Sequence, residues 1–446
     1  MYDITIIGAG PGGSEAGIYS ASKGYKTLII EKGLPGGVCL HKGCIPTKSL
    51  LKSSKMLSDI RNSAVYGINS GETNFSVDDM MKRKDTVISA LLKGLNSRIA
   101  KSGAELLQGE AEIISPAEIS VNGKKIETKN ILIASGSSPA VPPIAGIEHD
   151  YVADSSDMLS LNKIPDDLII IGAGVIGMEF AFLFSELGSN ITILEAAPTI
   201  LPFMDSSITK RLTSECRKKK IKIETGARVE KIEDGIKIIF TDKKGTQKTS
   251  EASRIMYAAG RRPTVNGLGL ENAGVKYSSE GIKTDNRCIT NVRNIAACGD
   301  AAGKVLLAHS ASREGIAAVN NLFGTEDIIN YDTIPSVIYT HPEAASVGMT
   351  DREAEEKGIE FEDVKIPMGF SGRFIIENKS PAGELRALFT PDRSKLLGVH
   401  ITGNPAGELI GAAALMIDSG MPPEQLSKTV FPHPTVSEIL HHMLEM

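Results

Sequence analysis

Short apolar runs alternate with glycine turns and amphipathic stretches along most of the chain, the texture of strands buried on both faces between covering helices. Residues 4–7, Ile4-Thr5-Ile6-Ile7, are followed at once by Gly8-Ala9-Gly10-Pro11-Gly12-Gly13 and a helical stretch, and the next apolar run closes at Glu31. The same order returns far downstream, where residues 168–171 precede Gly172-Ala173-Gly174-Val175-Ile176-Gly177 and residues 191–194 end at Glu195. Each copy predicts strand, tight turn, helix, strand, acid. The first glycine permits the turn, the second lets backbone approach a pyrophosphate, and the third lets helix pack on strand. The helix N-terminus then faces the phosphates, and the glutamate accepts from a ribose diol. A glycine turn used for packing alone is the competing reading, and the flanking strand and distal acid in both copies speak against it. Two dinucleotides are implied.

The apolar texture also separates domains. Residues 1–147 are expected to form the first nucleotide unit, with a polar helical stretch near 50–99 and a strand at 131–134 running into Ser135-Gly136-Ser137. Residues 148–268 form a second, inserted unit that ends in Ala258-Ala259-Gly260-Arg261-Arg262-Pro263. Residues 269–328 return to the first, because Ile295-Ala296-Ala297-Cys298-Gly299-Asp300 is a strand ending in Gly-Asp, as at the nucleotide-facing edge of a doubly wound sheet. From 329 to 446 the pattern changes to separated short strands, such as 336–339 and 396–401, and a helix over 406–419.

Composition narrows the class without changing the picture. A chain of 446 residues exceeds what one hydrophobic core serves, so two to four domains are expected. A net charge of -5 carries no polyanion footprint, and nucleic acid is not an expected partner. Residues 168–184 are apolar apart from Glu179, but the glycine turn inside them predicts a strand and a buried helix instead of a membrane span. The chain starts almost at once on a strand, so a cytoplasmic protein without a leader is expected. Five cysteines, at 39, 44, 216, 288 and 298, are sparse for a disulfide-stapled secreted protein and fit a reducing compartment.

Cys39 and Cys44 lie in Gly36-Gly37-Val38-Cys39-Leu40-His41-Lys42-Gly43-Cys44-Ile45-Pro46-Thr47-Lys48. Five apart on a regular helix, their Cα atoms would be roughly 8–9 Å apart, beyond the ~7 Å a disulfide spans. A bridge therefore needs a deformed helix, for which Gly43 and Pro46 provide. A zinc half-site needs further Cys or His ligands that the other cysteines do not supply, and inert thiols leave the glycines unexplained. The pair reads as redox-active. Lys48 is an ordinary lysine or a cation beside a flavin ring, with Glu179 a candidate carboxylate partner.

Near the C-terminus, Phe431-Pro432-His433-Pro434-Thr435-Val436-Ser437-Glu438 reads either as a capping box, Thr435 with Glu438, or as a catalytic base held at a set angle and oriented by Glu438.

Together these segments resemble the pyridine nucleotide-disulfide oxidoreductases over essentially the whole chain, through residues 8–13, 37–48, 172–179, 298–315 and 433–438. Tyr339-Thr340-His341-Pro342-Glu343, Gly398-Val399-His400-Ile401 and Ala406-Gly407-Glu408-Leu409 point toward the dihydrolipoyl-oxidising branch. The resemblance implies an α/β fold with two Rossmann-like dinucleotide-binding domains plus an α+β C-terminal dimerisation domain. It implies FAD at Gly8, Gly10, Gly13, Glu31, Lys48, Ala111, Ser135, Gly136, Asp300, Ala308 and His309, and NAD at Gly172, Gly174, Gly177, Glu179, Glu195 and Gly260. It further implies a homodimer in which His433 and Glu438 of one chain complete the Cys39/Cys44 site of the other. The activity implied is oxidation of protein-bound dihydrolipoyl groups, carried by 2-oxo acid dehydrogenase, acetoin dehydrogenase or glycine cleavage systems, with hydride passed to NAD⁺. His41-Lys42-Gly43 is more basic than the neutral pattern of that branch.

Three rivals remain at this stage. A glutathione-type reductase would use NADPH, but Glu195 followed by Ala196-Ala197-Pro198 offers no cation for a 2′-phosphate. A mercuric reductase would carry a C-terminal cysteine pair, absent from His441-His442-Met443-Leu444-Glu445-Met446. A non-catalytic flavoprotein redox sensor would hold the same disulfide without turnover.

Overall fold

The computed structural model describes residues 1–378, 380 and 382–446. The chain divides into two compact units: Met1–Ser49, Asp78–Ala140 and Gly260–Tyr331 make one, and Leu50–Val77, Val141–Ala259 and Asp332–Met446 the other.

In the first unit, parallel strands run in the order Glu105–Gln108, Thr27–Glu31, Tyr2–Ile7, Lys124–Ile133, Ile295–Ala297. Ile4, Ile6, Ile29, Leu132 and Ala296 expose nothing, which is why these strands read as unbroken apolar runs and not as alternation. Lys124–Ile133 serves two sheets. Its first residues pair antiparallel with Glu118–Val121, which pairs in turn with Ala111–Ser115, while its end joins the parallel set. The return of residues 295–297 to this sheet, expected from the Gly-Asp ending, is thus seen as pairing with Ile131, Leu132 and Ile133.

Helices Pro11–Ser22 and Ala308–Leu322 pack backbone to backbone on this sheet. A Cβ on Gly315 would lie 2.5 Å from the Gly12 carbonyl oxygen, and one on Gly12 would lie 2.9 Å from that of Ala311. The polar stretch expected near 50–99 is not one helix. It is two, Cys44–Arg61 and Val77–Ser102, separated by a 3-10 turn at Ser63–Tyr66 that ends at Gly67 with φ +77°. The intervening Gly67-Ile68-Asn69-Ser70-Gly71 is turn chemistry, which overrides the helical periodicity on either side.

The second unit contains another parallel sheet, ordered Lys222–Thr225, Asn190–Glu195, Asp167–Ile171, Arg254–Tyr257, Val152–Ala153. Its antiparallel meander is Arg228–Glu233, Lys237–Thr241, Gln247–Glu251. The helix Val175–Glu186 buries every residue from Gly177 to Phe184, so the apolar run that resembles a membrane span is a strand followed by a core helix. Among the described residues no helix is long and apolar enough to cross a membrane.

The same unit holds a five-stranded antiparallel sheet, Ser336–Ile338, Ala344–Gly348, Leu396–Thr402, Glu384–Phe389, Glu362–Pro367. Helices Ala406–Asp418 and Glu438–Glu445 close its core through Leu409, Ile410, Ala413, Ile439, Leu440 and Met443. Arg386 is buried between three carboxylates, 2.7 Å from Asp351, 2.8 Å from Asp363 and 3.0 Å from Asp205. Removing that guanidinium would leave buried negative charge uncompensated. The expected fold class, two doubly wound sheets plus an α+β C-terminal part, matches this architecture.

Candidate functional site

Both glycine loops have one geometry. Gly8 and Gly172 adopt φ +104° and +106°, open only to glycine, and a Cβ there would lie 2.3 Å from the Ala134 carbonyl oxygen or 2.5 Å from that of Ala258. Gly13 and Gly177 are closed by the turn itself, since their Cβ atoms would lie 1.9 Å and 2.0 Å from the Gly8 and Gly172 oxygens. Around Gly10 and Gly174, by contrast, a Cβ would meet nothing within 4 Å. These two residues start helices Pro11–Ser22 and Val175–Glu186, and neither start carries a side-chain cap. Uncapped N–H groups beside open backbone suit a phosphate.

The distal acids match as well. Glu31 accepts from the Ala9 N–H at 2.7 Å and the Gly33 N–H at 2.8 Å; Glu195 accepts from Ala173 at 2.5 Å and Ala197 at 2.7 Å. One oxygen of each carboxylate is used for each amide, which leaves lone pairs on both for a diol.

Only the first loop is followed by thiols. Gly36 donates its N–H to the Ala9 carbonyl at 2.7 Å, and a Cβ on Gly37 would sit 3.0 Å from the Gly10 Cα, so the cysteine segment rests on the loop backbone. The short helix Gly37–Lys42 stops at Gly43, with φ -145° and ψ -111°, and a new helix, Cys44–Arg61, begins. The cysteines therefore do not share one regular helix. Both are half-buried, unbridged thiols, and the Cys39 thiol is hydrogen-bonded to Cys44. That bond, with burial second, pushes Cys39 far above the ordinary thiol range, while the Lys48 ammonium, four residues past Cys44 on the same helix, acts in the opposite direction. His41 turns away to the Pro35 carbonyl, 2.8 Å from Nε2. The other three cysteines are buried, and burial pushes Cys216 and Cys288 up to about 12.

The other residues expected at the first site lie on segments distant in sequence. Gln108 is in register with Glu31, and the buried Ala111 follows three residues later. Ser135 gives its hydroxyl to the Thr264 carbonyl at 2.7 Å, and Gly136 has φ +73°. Asp300 is held by the Ser137 hydroxyl. Ala308 and His309 open the helix Ala308–Leu322, a third start without a side-chain cap. In the second unit Glu179 is 2 % exposed and accepts the Tyr339 N–H at 3.0 Å. Gly260, φ +104°, would give a Cβ open space.

His433 and Glu438 do pair, with 2.8 Å between Nδ1 and Oε1. The capping box does not form as the Thr-x-x-Glu spacing predicts. The N-cap is Ser437, Glu438 is the first residue of the helix, and the Thr435 hydroxyl donates to the Pro432 carbonyl at 2.7 Å. Glu438 accepts the Thr435 N–H at 2.9 Å as well, and that bond, then His433, holds its carboxyl below the ordinary range. The imidazole side chain is 79 % exposed against 19 % for its carboxylate, so Nε2 is available while Nδ1 is fixed.

Two residues were not singled out from sequence. Arg261 donates from Nε to the Ser137 hydroxyl at 2.7 Å and from Nη2 to its carbonyl at 2.8 Å. Glu314, 1 % exposed, accepts the Gly299 N–H at 2.6 Å and so pins the turn before Asp300. Arg-Arg-Pro after a strand-ending glycine was visible, but its partners lie more than a hundred residues away. A glutamate within a glycine- and alanine-rich helix was the other available signal.

The chain is similar to known proteins along essentially its whole length. Residues 2–315 match the family described as pyridine nucleotide-disulphide oxidoreductase, and residues 334–444 match the dimerisation domain of the same family. The dihydrolipoyl dehydrogenase of Bacillus subtilis is 37% identical over 450 residues, which cover 99% of this chain and 97% of that protein. Among solved structures, the HOCl-induced flavoprotein disulfide reductase RclA from Escherichia coli has a TM-score of 0.87 at 28% identity and full coverage of both chains. LpdA from Mycobacterium tuberculosis has a TM-score of 0.92 at 23% identity, with 100% of this chain and 99% of that one covered, a likeness of fold.

Proposed function

This chain belongs to the pyridine nucleotide-disulphide oxidoreductase family, FAD- and NAD-using enzymes, and on that premise we propose that it works as a dihydrolipoyl dehydrogenase. The substrate is a dihydrolipoyl group borne by a protein of a 2-oxo acid dehydrogenase, acetoin dehydrogenase or glycine cleavage system, and the final acceptor is NAD⁺. The observation that carries this reading is the seating of the Cys39/Cys44 segment on the first glycine loop through the Gly36 N–H and Ala9 carbonyl.

The residues fit both nucleotides. The open backbone at Gly10, the uncapped helix start and the doubly held Glu31 suit FAD, with Gly8, Gly13, Lys48, Ala111, Ser135, Gly136, Asp300, Ala308 and His309 as further contacts. Gly172, Gly174, Gly177, Glu179, Glu195 and Gly260 suit NAD, and the Glu195 carboxylate disfavours a 2′-phosphate. When bound, FAD would supply the two-electron acceptor for the cysteine pair and NAD⁺ the final hydride acceptor.

The protein's own chemistry is thiol-disulfide exchange. Starting from the Cys39–Cys44 disulfide, one substrate thiol loses its proton to His433 Nε2 of the partner subunit and its sulfur attacks Cys39, releasing Cys44 as thiolate. The sulfur of the second substrate thiol then attacks that of the first, closes the lipoyl disulfide and breaks the bond to Cys39, which leaves with the proton of that second thiol, while His433 keeps the first proton and Cys44 the negative charge. Two electrons have moved from substrate to the cysteine pair. Glu438, held by the Thr435 N–H, keeps Nδ1 of His433 as the donor and stabilises the imidazolium. The dimerisation domain supports a homodimer that shares this site between chains. The division into residues 1–147, 148–268, 269–328 and 329–446, and a cytoplasmic location, belong to the same reading.

Steady-state rates with dihydrolipoamide plus NAD⁺, set against glutathione disulfide plus NADPH, test the assignment. Preference for the second pair overturns it in favour of a glutathione-type reductase. Cys44→Ser is expected to remove dihydrolipoamide turnover while NADH oxidation by artificial acceptors persists. A parent protein without dihydrolipoamide turnover would be the redox sensor instead.

A further inference from the structure

Between Ser137–Pro139 and Arg261–Pro263 the chain forms the whole second parallel sheet, yet these two connectors pair antiparallel, with Arg261 opposite Pro139 and Pro263 opposite Ser137. At the base of this ribbon three side chains of the first unit interlock. Arg261 donates from Nε to the Ser137 hydroxyl at 2.7 Å and from Nη2 to the Ser137 carbonyl at 2.8 Å. The Ser137 hydroxyl in turn donates to Asp300 Oδ2, and Arg261 Nε lies 3.7 Å from the same oxygen. Ser137 is 6 % exposed, so its hydroxyl is committed on both sides. Among the described residues no hydrogen bond reaches Oδ1 of Asp300. The backbone of this aspartate is fixed as well, because the Gly299 N–H donates to Glu314 at 2.6 Å.

We propose that Arg261 is a positioning residue for the flavin nucleotide: acting through Ser137, it anchors Oδ2 of Asp300 and so fixes the direction in which Oδ1 is offered to that nucleotide. The inference rests on the reading of Asp300 as a flavin contact. It explains why an arginine stands at this point. Only a planar fork reaches the hydroxyl and the carbonyl of one serine together, which a lysine ammonium does not do with two fixed donors.

The test uses the full-length protein, stripped of flavin and titrated with FAD by fluorescence quenching, for Arg261→Met, Arg261→Lys, Asp300→Ala and the Arg261→Met/Asp300→Ala double variant. Asp300→Ala is expected to weaken FAD binding about 10–100-fold, the range of a charge-assisted hydrogen bond. Arg261→Met is expected to weaken it about tenfold, and Arg261→Lys, which keeps the charge and guards against a folding artefact, is expected to recover only part. The double variant should be no weaker than Asp300→Ala alone, because Arg261 acts through that carboxylate. Unchanged FAD affinity in Arg261→Met beside a weakened Asp300→Ala overturns the inference and leaves the flavin reading intact. Additive losses in the double variant overturn it also, since Arg261 would then act elsewhere. An unchanged Asp300→Ala overturns the reading of Asp300 and the inference with it.

Discussion

The two nucleotide units are built to one plan and differ in what is attached to it. Their parallel strands correspond one to one, from Glu105–Gln108 with Lys222–Thr225 to Lys124–Ile133 with Arg254–Tyr257, and each inserts a three-stranded meander before the fourth parallel strand. In the first unit the last meander strand runs unbroken into the parallel sheet; in the second, Gln247–Glu251 and Arg254–Tyr257 are separate. The fifth position is filled from downstream by Ile295–Ala297 in the first and from upstream by Val152–Ala153 in the second. The first also has the thiol segment, the Ser137/Arg261 ribbon and a helix pressed onto its loop helix through Gly12 and Gly315. The lesson is that a shared phosphate cradle makes no choice of chemistry. The attachments choose it, and they come from the strand ends and from residues far along the chain.

The largest expected effect separates the cradles. In Gly13→Val and Gly177→Val the added Cβ meets a carbonyl oxygen near 2 Å, at 1.9 Å and 2.0 Å respectively. Gly13→Val should purify without its yellow flavin absorbance, and Gly177→Val should stay yellow while its KM for NAD⁺ rises at least about 100-fold, as an interaction of ~3 kcal/mol demands. Loss of flavin from Gly177→Val would break the assignment of one nucleotide to each unit.

Next come the acids. Glu195→Ala is expected to raise KM for NAD⁺ about 10–100-fold with flavin content unchanged, and Glu31→Ala to weaken FAD by a similar factor. Equal damage to both cofactors from either variant contradicts the parallel drawn between them.

Smaller still is the effect of the packing found only in the first unit. Gly315→Ala puts a methyl 2.5 Å from the Gly12 carbonyl oxygen and should cost about 1–3 kcal/mol in denaturant unfolding. The exposed, sterically free Gly188 after the second loop helix has φ +105°, so it is not a fair control; Gly174→Ala, with open space around its Cβ, should cost much less.

The smallest effect is a slope. Burial raises the Glu314 carboxyl above its ordinary 4.5, against the Gly299 N–H that lowers it. The folded chain then holds this proton more tightly than the unfolded one, so its contribution to stability is present below the ordinary value and is lost as pH rises through the raised one. Measured by urea unfolding, the stability of the parent relative to Glu314→Gln should fall as pH rises from below 4.5 through the raised value. A constant difference would show that Glu314 does not titrate in that range.

How much of this was legible in the sequence depends on distance along the chain. The glycine loops, their acids and the broken helix at Gly43 are legible from residue type and spacing, whereas the Ala134 and Ala258 carbonyls that close on Gly8 and Gly172 lie far along the chain. The His433–Glu438 pair was placed as well, although its helix starts two residues later than the Thr-x-x-Glu pattern indicates, because Thr435 found the nearer Pro432 carbonyl. Arg261 with Ser137, Glu314 with Gly299, and the burial of Arg386 among Asp205, Asp351 and Asp363 were not legible. Each joins polar residues that look solvated in sequence, and only tertiary pairing brings their partners within reach. The polar helical stretch near 50–99 is helical at both ends, and local turn residues divide it into two helices.

The downstream origin of Ile295–Ala297 has a consequence for biosynthesis. All five parallel strands of the second sheet lie between residues 152 and 257, whereas the first sheet, opened by Tyr2–Ile7, lacks its last strand until residue 297 has been made. A chain emerging from the ribosome can therefore close its later nucleotide sheet while the earlier one still has a bare edge beside Ile131, Leu132 and Ile133. Of the two parallel sheets, the one that opens the chain is therefore the later to receive its last strand.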